Sequence, residues 1–82
     1  MTSYSSIKTS KFKKNTLRWI ENTGGVEITN MGKHTKIHCI HNGQSFPLPT
    51  SHKYINKFII KNLIKWLEEN NVCTEDEFNN NI

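Results

Sequence analysis

The pair Asn42-Gly43 lies between two stretches in which apolar and polar residues alternate. That arrangement is the strongest short-range signal for a β-hairpin. The pair supplies the two positive φ angles of a type I′ turn, and β-branched and aromatic residues flank it. The surrounding segment, Gly32 to Lys53, therefore reads as a strand, a tight turn, a second strand and a loop into a helix. All four histidines fall inside it: His34, His38, His41 and His52. Over residues 33 to 41 the odd positions include Ile37 and Cys39 and the even ones His34, Lys36 and His38. A pleat there separates a core face from a basic face. Ile40 interrupts the alternation, as a bulge or a strand end near the turn would. The following strand covers residues 44 to 48. Pro47 confines it to a sheet edge or to the strand's end, because proline gives no ladder hydrogen bond.

The segments on either side read as helices. Ser10 precedes a stretch in which Phe12, Thr16, Trp19 and Ile20 share one helical face with Leu17 at its margin, and Gly24 suits the left-handed end, so a helix is expected over residues 11 to 23. Its Lys11, Lys14 and Arg18 form a basic stripe. Residues 25 to 29 alternate as a short half-buried strand. After Pro49, Thr50 or Ser51 begins a helix carrying Ile55, Phe58, Ile59, Leu63, Trp66 and Leu67 at i, i+3 and i+4 spacing, closed by Asn70-Asn71. Lys53, Lys57, Lys61 and Lys65 recur every four residues along its outer side. The aromatic residues of both helices, Phe58 included, read as core. Residues 1 to 9 read as a loose arm, residues 10 to 72 as the folded domain, and residues 73 to 82 as an acidic, Asn-rich, poorly ordered tail. The expected fold is α+β in the order α-β-β-β-α, a three-stranded antiparallel sheet with two helices on one face and the other face open.

Charge narrows the function. The first 66 residues hold all eleven Lys and Arg but only Glu21 and Glu27, eleven against two, and residues 67 to 82 hold five acids and no base. A basic body with an acidic tail suits a polyanionic partner. At 82 residues the chain buries only a modest core, which favours large substrates over small ones bound in a deep pocket. No apolar run is long enough to span a bilayer and the N-terminal residues lack a signal-peptide pattern, so a cytoplasmic protein is expected. Cys39 and Cys73 read as two reduced thiols.

His34 is the candidate for chemistry. At the start of a strand after Gly32, its imidazole stands beside Lys36 and His38 on the open face. There it could take a proton from a ribose 2′-hydroxyl or give one to a leaving oxygen near neutral pH, while the lysines offset charge on the phosphate. His34, His38, Cys39, His41 and His52 form no tetrahedral set from one strand face and match no finger or ribbon spacing, so no metal and no other cofactor is expected.

Taken together, a helix, Gly24-Gly25-Val26, a strand, Gly32-Lys33-His34, a strand, a turn, Phe46-Pro47-Leu48-Pro49, His52-Lys53 and a lysine-rich helix resemble the HicA toxins of bacterial toxin-antitoxin systems over residues 10 to 72. The resemblance implies a double-stranded-RNA-binding-like fold, metal-independent mRNA cleavage and silencing by a HicB-like antitoxin. By position it implies His34 as the catalytic histidine, and it sets Lys33 where that family usually has serine. Lys33, Lys36, His38, His52, Lys53, Lys57 and Lys61 are the expected RNA contacts, and the chain by itself is expected as a monomer. Two other readings stand beside it. One is a non-catalytic RNA-binding module that needs the lysines and not the histidine, and the other is a subunit whose basic face docks on an acidic partner.

Overall fold

The computed structural model describes residues 6–31 and 34–81, with the backbone alone described for Asn30, Met31 and His34. The domain is α+β, and its central part follows the expected order. Strand β1, Ile7–Lys8, leads into helix α1, which runs without interruption through Thr9–Lys11, Phe12–Thr16 and Leu17–Asn22. Strands β2 (Val26–Met31), β3 (His34–Cys39) and β4 (Ser45–Pro49) form an antiparallel sheet in the order β2-β3-β4. Then come β5 (Tyr54–Ile55), helix α2 (Lys57–Glu69) and a short helix α3 (Glu75–Asn79).

Helix α1 starts earlier than expected. Ser10 lies inside it, and Lys8 occupies the N-cap with no side-chain cap bond. Its middle is wound as a π-helix, with the amide of Leu17 bonded to the Phe12 carbonyl five residues back. A wider turn rotates the helix that follows it. Phe12, Thr16, Leu17 and Ile20 all become buried, whereas Trp19 stays half-buried. Gly24 takes φ +84° and ends the helix as expected.

The hairpin forms, but around a longer loop than a two-residue turn. Of the Asn42-Gly43 pair only Gly43 has a positive φ, +75°. The ladder closes with Cys39 donating to the Gln44 carbonyl at 2.7 Å, and Gly43 donates back to the Cys39 carbonyl at 3.0 Å. Asn42 Oδ1 accepts from the Gln44 amide at 2.9 Å. Residues 40 to 43 are thus the loop, and Ile40 marks the end of the strand and not a bulge. Its amide donates to the Gly25 carbonyl, and its side chain is exposed. Pro47 lies on β4, an edge strand, where its missing N–H costs no ladder bond.

Register fixes the two faces. Val26 pairs with Cys39, Ile28 with Ile37, and Ile37 also with Phe46, while Thr35 pairs with Leu48. These residues face the core, where α1 contributes Phe12, Leu17 and Ile20 and α2 contributes Ile60, Leu63, Ile64 and Leu67. Both long helices therefore cover one face of the sheet. The other face carries Glu27, Thr29, Lys36, His38, Ser45 and Pro47.

Three expectations are corrected. Residues 7 to 9 are not a loose arm: Ile7 and Lys8 pair with Ile55 and Tyr54, the Thr9 amide donates to the Lys53 carbonyl at 2.8 Å, and the Thr9 hydroxyl donates to the His52 carbonyl at 2.6 Å. This pairing holds Tyr54 and Ile55 in a strand, so α2 cannot start at Thr50 or Ser51. It begins at Lys57, with Asn56 Oδ1 capping the Phe58 amide at 2.8 Å. Nor are residues 73 to 81 a poorly ordered tail. Thr74 and Glu77 form a reciprocal capping box, and Phe78 is fully buried with its ring centroid 6.4 Å from that of Phe12.

Candidate nucleic-acid interface

Strand β3 is central in its sheet, so its backbone is held on both sides. His34 heads it, opposite Met31 on β2 and Pro49 on β4. Two residues on, Lys36 lies between Thr29 and Pro47 and is exposed. His38 lies between Glu27 and Ser45, half-buried, with Nδ1 3.0 Å from the Ser45 hydroxyl oxygen. Thr35, Ile37 and Cys39 face the core at 1 % exposure or less, so the alternation anchors the strand through one face and leaves the other open. Lys33 lies outside the described residues, as does the side chain of His34.

The expected lysine ridge is divided. Lys57, Lys61 and Lys65 are exposed along one flank of α2, beside the stripe it buries. Lys53 belongs to the loop before β5 and not to the helix, although it too is exposed. His52 lies exposed in the same loop, its carbonyl engaged by Thr9. Because α2 covers the core face, its lysines and Lys36 lie on different sides of the domain. The predicted contacts thus fall into two groups: His34, Lys36 and His38 along β3, and His52, Lys53, Lys57 and Lys61 around the start of α2.

A third basic region lies on α1, where Lys14 and Arg18 of the expected stripe are joined by Lys13 in place of Lys11. Lys13, Lys14 and Arg18 line an open groove of about 340 Å³ between α1 and the sheet, together with Leu17, Glu21, Ile28 and Thr35. Ile28 and Thr35 point to the core side of the sheet, so this groove lies on the side of α1 and not on the open face that carries Lys36 and His38. Two aromatic residues were also missed. Phe58 is 65 % exposed and Tyr54 53 % exposed, each directly following a lysine, Lys57 and Lys53. The core stripe of α2 is Ile60, Leu63, Ile64 and Leu67, which turns Phe58 outward. Trp66 is half-buried with its ring 5.8 Å from Phe46.

The thiols are free and buried. Cys39 Sγ lies 3.3 Å from His41 Nδ1, a contact made because His41 is in the loop and not on the strand. Among the described residues no three His, Cys, Asp or Glu gather as a metal set. Burial, with Glu77 and Glu68 nearby, pushes the Cys73 thiol up to about 11, so it holds its proton at neutral pH and is a poor nucleophile. Among the described residues no helix is long and apolar enough to cross a membrane. Comparison with protein-family models, with curated proteins and with solved structures yields no match.

Proposed function

We propose that this chain is a metal-independent endoribonuclease of HicA type, a cytoplasmic toxin that cleaves mRNA and is held silent by a HicB-like antitoxin. One observation carries the reading: His34 heads the central strand of the sheet, followed at alternate positions by exposed Lys36 and by His38 on the face that the helices leave open. A phosphodiester backbone lying along that open face meets Lys36 two residues from the histidine.

His34 then removes the proton from a ribose 2′-hydroxyl. The resulting oxygen attacks the adjacent phosphorus, the bond to the 5′-oxygen breaks, and that oxygen leaves with a proton returned by the imidazolium. A 2′,3′-cyclic phosphate and a 5′-hydroxyl result. Lys36, with Lys33 beside the histidine in sequence, offsets the charge that builds on the phosphate. An antitoxin that covers the open face of β3 blocks this step by excluding RNA.

The test is incubation of wild type and His34→Ala with a long single-stranded RNA in excess EDTA, followed by analysis of the cut ends. Wild type should leave cyclic phosphate ends, and the variant should be slower by about 10²–10⁴-fold, the usual contribution of a general acid–base group. Equal cutting by the variant, or cutting that stops in EDTA, rules the mechanism out. The exposed Tyr54 and Phe58 favour a second reading, an RNA-binding module without catalysis, in which both proteins bind and neither cuts.

A further inference from the structure

Residues 28 to 67 contain six lysines and no Asp or Glu. Among the described residues the exposed large apolar side chains are Ile40, Tyr54 and Phe58, so two of the three lie within five residues of one another in this acid-free segment. Neither ring is on a loose loop. Tyr54 is paired with Lys8 in the β1–β5 ladder, whose other pair, Ile7 and Ile55, turns inward, with Ile55 1 % exposed. Cross-strand partners share a face, so Lys8 and Tyr54 emerge together. Phe58 is in the first turn of α2, its own amide held by the Asn56 cap, and Lys57 Nζ approaches its ring at 5.5 Å from the centroid. Two exposed aromatic rings this close along the chain and rimmed by lysines are the kind of surface that marks an interaction site. Flat rings with lysines on either side match what an unpaired nucleotide offers, a π-face and a phosphate.

We propose that Tyr54 and Phe58, flanked by Lys8, Lys53, Lys57 and Lys61, form a stacking platform for unpaired bases of single-stranded RNA. The platform gives the chain a preference for unpaired over duplex RNA, since a duplex keeps its bases stacked on each other and offers these rings nothing. It rests on the RNA reading above for its ligand but not on cleavage by His34. The platform holds the strand on α2's side of the domain, away from β3, so RNA is retained at a site separate from the one where it is cut.

The test measures fluorescence anisotropy of a labelled oligouridylate of about a dozen nucleotides, and of a duplex of equal length, using full-length protein with His34→Ala so that nothing is cut. Tyr54→Ala and Phe58→Ala should each weaken oligouridylate binding about tenfold, and together about a hundredfold, with duplex binding within about twofold. The slope of affinity against salt should not change, because no charge is removed. Phe58→Trp should retain binding, which separates stacking from misfolding. Unchanged oligouridylate binding by the double variant overturns the platform, as does equal loss on single strand and duplex. So does ring-dependent binding of polyglutamate by a protein that ignores RNA, which would mark a docking site for an acidic protein. If wild type fails to cut yet binding depends on the rings, the cleavage reading falls and the platform stands. If it cuts and the rings are indifferent, the platform alone falls.

Discussion

Replacing Phe78 with alanine distinguishes a structural C-terminal segment from a solvated acidic one. Phe78 is fully buried in the core cluster and stacks obliquely on Phe12, also fully buried, from a helix of only five residues. A helix that short has no stability of its own, so the ring is what keeps α3 docked. Truncating a buried phenylalanine to alanine costs about 3–5 kcal/mol, through lost transfer energy and the cavity left behind. A domain of 82 residues has in total about 4–12 kcal/mol of stability, so the loss is between a quarter and all of it. With an unfolding entropy of about 0.17 kcal/mol/K for this length, the melting temperature should fall by about 17–30 °C. Thermal and urea unfolding followed by circular dichroism and tryptophan fluorescence would measure it, with Phe58→Ala, an exposed ring, as the control at about 0.5 kcal/mol or less. If Phe78→Ala lost under 1 kcal/mol, or no more than Phe58→Ala, the packing of α3 against α1 would not be part of the stable fold.

Two further outcomes follow from the same region. Thr74→Ala removes one half of the capping box and should cost about 1 kcal/mol, seen as a lower urea midpoint, whereas Thr74→Ser should keep most of it. The two changes at Thr74 and Phe78 should not add, since both act by undocking α3. The raised Cys73 thiol makes stability depend on pH in one window. Below about pH 9.0 the thiol is protonated in both states and contributes no slope. Between there and about 11 the unfolded chain loses this proton while the folded chain keeps it, so stability should fall across that interval. Urea midpoints of wild type should drop relative to Cys73→Ala only above about pH 9.0, and parallel curves would remove the buried thiol as the cause.

Some of this chain is decided locally. Alternation in β3 placed Ile37 and Cys39 on the core and Lys36 on the open face, because a pleat has a period of two whatever surrounds it. Gly24 and Gly43 take the left-handed angles their positions needed, and Pro47 falls on an edge because a central strand would leave a carbonyl without its donor. The basic character of α1 and α2 is equally local, since lysines spaced by three or four residues must share a helical side. The proposed catalytic role of His34 rests on its place in this sequence and at the head of β3.

Other features needed the folded chain. The apolar arc of α2 is wide, with Phe58, Ile59, Ile60, Leu63, Ile64, Trp66 and Leu67 in thirteen residues, so the sequence allows several rotations of the helix. The sheet and α1 select Ile60, Leu63, Ile64 and Leu67, and Phe58 is left in water. The late start of α2 depends on β1, a partner nearly fifty residues away that no local pattern announces. The capping box at Thr74-Glu77 was legible in the sequence, but acidic and Asn-rich composition masked it, and only the pocket beside Phe12 gives Phe78 somewhere to go. The sequence by itself determined which residues alternate, turn and carry charge, because those follow from local geometry. Only the tertiary structure decided which of several apolar faces is buried and which aromatic rings remain exposed, because burial is a competition among all segments for one small core.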